Sequence, residues 1–192
     1  MQQKIILKDG SLTYFPSFLN SDELIYYQKY LTEEIQFEQG EITLFGKKHL
    51  IPRLESFHAK QSKTYSYSGK LIHAKPFTEE LNELCERIEN AVYSKFNCVL
   101  INYYRNGMDS NGWHADNEKE LGENPVIASL SIGATRRFDL KHQFESEKFS
   151  ILLHSGDLLL MDNQIQNFYK HQIAKSKKIS EPRINLTFRW IY

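Results

Sequence analysis

His114 and Asp116 stand two residues apart in the stretch Asn111-Gly112-Trp113-His114-Ala115-Asp116. An imidazole and a carboxylate are both metal-capable. On extended backbone, positions i and i+2 project to one face, so the pair can grip a single ion. The polar run Asn106-Gly107-Met108-Asp109-Ser110-Asn111 before it reads as an exposed loop. The pair needs completion, because seven His and seven Asp in 192 residues produce a chance His-x-Asp in roughly a quarter of such chains.

The terminal region offers that completion. His171 precedes a basic loop, and then comes Arg183-Ile184-Asn185-Leu186-Thr187-Phe188-Arg189. Positions 183, 185, 187 and 189 share one face of a strand and are all polar, while 184, 186, 188 and 190 are Ile, Leu, Phe and Trp. Such a strand either lines a polar cavity or lies at a solvent-facing edge. Two inward arginines need anions, and a dicarboxylate bound by both explains their spacing. Two His and one Asp with open coordination positions form the facial triad of non-haem Fe(II) oxygenases, with zinc as the rival metal. His142 and His154 are further candidates for the third ligand, although His154 sits beside a Ser-Gly-Asp turn and reads more simply as a rim residue.

The elements that must position these groups follow from periodicity. Ile5 to Phe18 reads as a short strand, a Lys8-Asp9-Gly10-Ser11 turn and a second extended piece. Asn20 or Ser21 then caps a helix, with Glu23 placed for a capping box and Leu24, Tyr27, Leu31 and Ile35 on its inner side. Phe77 to Phe96 carries a second amphipathic helix, with Leu81, Leu84, Ile88 and Val92 inward and Glu79, Glu80, Glu83, Glu86 and Glu89 mostly outward. From Val99 onward the chain turns to short β runs (99–104, 126–132, 136–141, 149–153, 158–161 and 183–191), which predict an all-β barrel or sandwich with the two helices packed outside.

Two earlier stretches have a bland and a sharp reading. Glu41 to Arg53 predicts a hairpin turning at Phe45-Gly46-Lys47-Lys48. Phe45 either packs beneath it or forms an apolar wedge flanked by the cations Lys47, Lys48 and Arg53, as in proteins that push a side chain between stacked bases. Tyr65 and Tyr67 share one face of a strand, as sheet aromatics or as a stacking platform.

Bulk properties narrow the classes. At 41% hydrophobic the chain can bury a core and is no disordered tail. A formal net charge of zero leaves nucleic-acid binding to local basic patches. Cys85 and Cys98 give neither a disulfide framework nor a Cys-x-x-Cys pair, and no stretch approaches a membrane span. A soluble intracellular protein, of cytoplasm or nucleus, without membrane contact is expected.

These residues together are similar to a known family. His114-x-Asp116, the distant His171 and Arg183-x-Asn185-x-Thr187-x-Arg189 resemble the signature of the AlkB family of Fe(II)/2-oxoglutarate dioxygenases, most nearly the branch that repairs alkylated double-stranded DNA. The likeness extends to Phe45-Gly46-Lys47, Pro52-Arg53, Tyr65-x-Tyr67-Ser68-Gly69, Asn102-x-Tyr104 and Ile127-Ala128-Ser129-x-Ser131-x-Gly133-Ala134.

The resemblance implies an α+β, mainly β fold with a double-stranded β-helix (jelly-roll) core. The chain would be one dioxygenase domain over 1–192, with 1–96 the N-terminal extension carrying the outer helices and a nucleotide-recognition hairpin, and 97–192 the β-helix core. Fe(II) would be held by His114, Asp116 and His171. Arg183, Asn102 and Tyr104 would hold the far carboxylate of 2-oxoglutarate, with Asn185, Thr187 and Arg189 at the near one or its surroundings. The implied reaction is oxidative demethylation of 1-methyladenine or 3-methylcytosine, consuming O2 and 2-oxoglutarate and releasing succinate, carbon dioxide and formaldehyde. Phe45, Gly46, Lys47, Tyr65, Tyr67, Ser68, Asn117 and Glu118 would meet the nucleic acid, alkylated DNA in duplex or single-stranded form, with the enzyme acting as a monomer. Asn117 departs from close relatives, which often carry an acid directly after the iron-binding Asp. Alternatives are the same chemistry on RNA or another N-methyl substrate, or a non-catalytic metal- or DNA-binding barrel.

Overall fold

The computed structural model describes residues 1–44, 46–61, 64–67, 70–162 and 164–192, and of 43–44, 64–67 and 70–73 the backbone only. The chain opens with a hairpin of β1 (Gln3–Leu7) and β2 (Gly10–Phe15), paired from Gln3↔Tyr14 to Leu7↔Gly10. Helix α1 (Ser21–Glu33) starts as its sequence demands: Glu23 N–H donates to Asn20 Oδ1 (3.0 Å) and Asn20 N–H to Glu23 Oε2 (2.8 Å), which satisfies two otherwise orphaned donors. The expected hairpin forms from β3 (Glu41–Leu44) and β4 (Lys47–Leu50), and its turn places Gly46 at φ 75°, where a side chain would be strained. Next come β5 (Leu54–Ala59), a second hairpin of β6 (Thr64–Tyr67) and β7 (Lys70–His73), the two-residue β8 (Lys75–Pro76) and helix α2 (Glu79–Val92), capped by the Thr78 hydroxyl.

The remainder is β9 (Cys98–Tyr104), β10 (Asn111–His114), β11 (Ile127–Gly133), β12 (Arg136–His142), β13 (Lys148–Leu153), β14 (Leu158–Met161), the single turn α3 (Ile165–Phe168), β15 (Tyr169–Ile173) and β16 (Arg183–Arg189). Apart from the β12–β13 hairpin, which stays within one sheet, successive strands alternate between two sheets. One is a minor sheet in the order β10-β15-β12-β13, and the other contains β14-β11-β16-β9, together the four-on-four arrangement of a double-stranded β-helix. The larger sheet has eight strands, because β2 and β1 continue it beyond β14 while β5 and β8 continue it beyond β9. Residues 1–96 therefore extend the β-helix core as well as carrying helices.

Side-chain alternation sorts the large sheet into two environments. Val99, Ile101, Ala128, Leu130, Ile132, Ile184, Leu186 and Phe188 face out and pack against Tyr27, Tyr30 and Leu31 of α1 and Leu81, Leu84, Cys85 and Ile88 of α2. The opposite face looks into the space between the sheets, where Phe138, Leu140, Met161, Tyr169 and Ile173 form a second cluster.

Three details differ from the sequence reading. Trp190 lies beyond the end of β16 and is 42% exposed, so the alternation stops at Phe188. Strand β15, which carries His171, was not evident from sequence. Glu89 on α2 is buried at 5% exposure because it accepts from Lys60 Nζ (3.0 Å), Lys95 Nζ (2.8 Å) and the Phe96 N–H (2.9 Å). Those contacts outweigh the upward push of burial and hold its carboxyl down at about 2.

Candidate active site

Strands β10 and β15 pair directly at His114↔His171, with an irregularity between Asn111 and His114. Cross-strand partners in register bring side chains together, and the two imidazoles lie 4.2 Å apart between centroids. Asp116, just past β10, turns its carboxylate toward both: Oδ1 is 4.0 Å from His114 Nε2 and Oδ2 is 3.9 Å from His171 Nε2. One ligand atom from each residue lies within 4.8 Å of the others, close enough for one ion.

Hydrogen bonding prepares these groups as ligands. The His114 Nδ1 lies 2.7 Å from Gly112 O and its Nε2 lies 3.1 Å from the Asn111 amide nitrogen, contacts that agree on the tautomer in which Nδ1–H donates and the Nε2 lone pair accepts from Asn111, the same lone pair that a metal would use. Burial pulls the His114 imidazole below its usual range. Burial and the adjacent His114 take His171 down to about 3, so His171 is neutral at physiological pH. Burial alone would raise the Asp116 carboxyl, but Arg189, with Nη2 at 2.8 Å, and the two histidines reverse this and hold it below the ordinary value. The Asp116 N–H donates to Gln166 Oε1 (2.8 Å), and Gln166 is wholly buried on α3, five residues before His171. Nothing local in the sequence marks Gln166, since its partner is 50 positions away.

Strand β16 lies between β11 and β9 with all seven residues buried, which excludes the solvent-edge reading. Its odd positions line one cavity with Asn102 and Tyr104 of β9 and the three metal-capable residues. The two arginines differ in the partners they meet within the protein. Arg189 ion-pairs with Asp116, whereas Arg183, 1% exposed, donates from Nη2 to Ser131 Oγ (2.9 Å) and leaves Nε and Nη1 without a hydrogen-bond partner among the described residues. Burial lowers the Arg183 guanidinium to about 10, so it is still charged at neutral pH. A buried cation with two unpaired donors in a cavity fits a carboxylate, the end group of 2-oxoglutarate.

Asn185 and Thr187 are built differently. Asn185 Nδ2 donates to Ser129 Oγ and Leu130 O (2.9 Å each), and Thr187 Oγ1 donates to Asn185 Oδ1 (3.2 Å), so the pair stiffens the cavity wall. Asn102 is oriented by Arg53, whose Nε donates to Asn102 Oδ1 at 2.7 Å. Arg53 is thus turned inward at 7% exposure, not out toward phosphates with Lys47 and Lys48.

His142 and His154 stand apart from the triad. His142 Nε2 meets Asp9 at 3.2 Å among aromatic rings, and His154 Nδ1 meets the Thr135 hydroxyl at 3.1 Å. Of the residues expected at the nucleic acid, Phe45 and Ser68 lie outside the described residues, as do the side chains of Tyr65 and Tyr67. Gly46 and Lys47 lie exposed at the turn of the β3–β4 hairpin, and Asn117 is exposed beside Asp116. Glu118 is half-buried with Oε2 unpartnered, and burial raises its carboxyl above the usual range.

Known proteins share this architecture and sequence. The chain is 34% identical over 172 residues to DNA oxidative demethylase ALKBH2 of Bos taurus, covering 84% of this chain and 62% of that protein. It is 33% identical over 188 residues to alpha-ketoglutarate-dependent dioxygenase alkB homolog 3 of Homo sapiens, covering 93% of this chain and 65% of that protein. The chain thus spans less than two thirds of the length of these two relatives. Among solved structures, that of OsALKBH1 matches with a TM-score of 0.67 at 16% identity, covering 98% of this chain and 100% of that one, a likeness of fold. A model of the 2OG-Fe(II) oxygenase superfamily matches residues 11–189, and the chain belongs to that family.

Proposed function

We propose that this protein repairs nucleic acid by direct reversal, removing N-methyl groups from bases such as 1-methyladenine and 3-methylcytosine in DNA and releasing formaldehyde. The observation that carries the reading is the joint cavity: a His114–Asp116–His171 donor set shares one enclosure with the unpaired donors of Arg183. Relatives of similar sequence named as DNA oxidative demethylases support the choice of substrate.

The donor set suits Fe(II), which with O2 and 2-oxoglutarate supplies the oxidation of the methyl C–H bond. Arg183, with Asn102 and Tyr104, holds the far carboxylate of the co-substrate, and the Asn185–Thr187 pair keeps that wall rigid. Arg189 neutralises Asp116 and keeps it deprotonated for the metal. On the substrate side, a base methylated at a pairing nitrogen is cationic and pairs poorly, so extruding it from the stack costs less than extruding an intact base. Tyr65 and Tyr67 stack on the extruded base, a contact worth about 0.5–2 kcal/mol for a cation over aromatic faces. Glu118 supplies opposing charge beside the metal site, with Asn117 at its rim and Ser68 as a further substrate contact. In this reading Phe45, next in sequence to Gly46 and Lys47, fills the gap in a duplex, while Lys175, Lys177 and Lys178 meet phosphates.

The test is formaldehyde release from oligonucleotides carrying one 1-methyladenine, in single- and double-stranded form, with Fe(II) and 2-oxoglutarate. Release that depends on both is expected. No release from either oligonucleotide, with succinate still formed on another substrate, refutes the repair reading.

A further inference from the structure

Arg136, at the start of β12, is 2% exposed and has no carboxylate partner among the described residues. A guanidinium buried in this way is costly unless its donors are satisfied, and here backbone carbonyls satisfy them. Nη1 donates to Asn106 O (3.3 Å), and Nη2 donates to Asp109 O (2.9 Å) and Ala174 O (2.8 Å). These carbonyls belong to two different loops. Residues 105–110 lead into β10 and His114, whereas 174–182 leave β15 after His171 and feed β16 at Arg183.

The same two loops are stitched a second time at Gly107. Its N–H donates to Ile179 O (2.9 Å) and its carbonyl accepts from the Ser176 N–H (2.7 Å). The approach is so close that a Cβ on Gly107 would lie 2.0 Å from Ser176 O. Arg136 also flanks Tyr104: its guanidinium carbon is 5.5 Å from that ring's centroid, and the Arg183 guanidinium carbon is 5.4 Å from the same centroid. Tyr104 and Arg183 are in turn direct cross-strand partners.

We propose that Arg136 is a positioning residue for the co-substrate: by clipping the 105–110 loop to the 174–182 loop and backing the Tyr104 ring, it fixes where the Arg183 guanidinium points. It touches neither metal nor co-substrate, since Phe138, two residues on, is the β12 residue that lines the cavity. The inference rests on the reading that Arg183 binds a carboxylate of 2-oxoglutarate.

The rival account of Arg136 is that its positive charge alone draws in the anion, and three variants separate the two. Arg136→Met removes clip and charge, Arg136→Lys keeps the charge but cannot span three carbonyls, and Gly107→Ala forces the loops apart with Arg136 intact. The readout is 2-oxoglutarate affinity, measured by calorimetry on the full chain loaded with Mn(II), alongside thermal melting and the split between KM for 2-oxoglutarate and kcat. All three variants are expected to weaken 2-oxoglutarate about tenfold or more, the usual scale for losing a supporting contact, with kcat recovered at saturating co-substrate. Weakening in Arg136→Met alone overturns the clip in favour of charge. Wild-type affinity in all three, even with lowered melting temperatures, makes Arg136 merely structural and overturns it too. If the wild-type protein fails to bind 2-oxoglutarate, the co-substrate reading itself falls and takes this inference with it.

Discussion

Replacing Arg189 with Met should make the stability of this protein depend on metal. Asp116 is 1% exposed, and Arg189 Nη2 at 2.8 Å is its one charge-assisted hydrogen bond among the described residues. Without the guanidinium the carboxylate must either stay ionised in a buried site or take up a proton. Breaking a buried pair from one side costs about 3–5 kcal/mol. Protonation sets a similar ceiling, because keeping a carboxyl of ordinary pKa near 3.9 neutral at pH 7 costs about 1.4 kcal/mol per unit, or roughly 4 kcal/mol. A divalent cation offers Asp116 a replacement charge, so the metal-bound variant should recover much of that loss. The assay is urea unfolding at pH 7 of wild type and Arg189→Met, each in EDTA and in saturating Mn(II). The expected result is a deficit of about 3–4 kcal/mol in EDTA that shrinks by half or more with Mn(II). A deficit below about 1 kcal/mol in EDTA, or one of equal size in both conditions, would refute the assignment of Arg189 as the counter-charge that holds Asp116 ready for a metal.

Other substitutions probe the remaining links. His171→Ala and Asp116→Ala should each abolish Fe(II)-dependent turnover while near-ultraviolet dichroism stays native; residual turnover above a few per cent removes that residue as a ligand. Gln166→Leu removes the acceptor for the Asp116 N–H and should weaken Mn(II) binding by about tenfold, whereas Gln166→Glu, which keeps an acceptor oxygen, should lie closer to wild type. Equal affinity for all three proteins would make Gln166 a packing residue only. Phe45→Ala should lower demethylation of a duplex far more than of a single strand, and equal losses on both reject the wedge. Glu89, held down at about 2 against an ordinary 4.5, contributes stability that is complete above pH 4.5 and is lost as pH falls toward 2. Glu89→Gln should therefore cost about 2–3 kcal/mol at pH 7 and flatten the pH dependence below 4.5; an unchanged acid limb in urea titrations disproves that linkage.

Local patterns proved legible where one residue's neighbours decide its fate. The capping box at Asn20 and Glu23, the alternation of 183–189 and the apolar stripe of α2 were readable because the partner groups lie within four residues or on the same face. Strand β15 escaped because a core-facing histidine makes Tyr169-Lys170-His171-Gln172-Ile173 look more polar than its burial, in which Tyr169, His171 and Ile173 all point inward. Glu89 escaped for the converse reason: a helical wheel turns it partly outward, and three of its partners, Lys60, Lys95 and the Phe96 backbone, lie outside its helix.

The two arginines of β16 show where the limit lies. They are the same residue type on the same face of the same strand, so periodicity assigns them one role. The register separates them. Arg183 stands opposite Tyr104 and Gly133 and reaches Ser131, which leaves donors free, while Arg189 stands opposite Cys98 at the far end and reaches Asp116, 73 residues away in sequence. Sequence pattern thus fixes which groups face the cavity, and long-range register fixes which of them remain unsatisfied there. A group left unsatisfied in a closed, polar space is one with free energy still to gain from a ligand, which is why Arg183 is the proposed anchor for a carboxylate of the co-substrate.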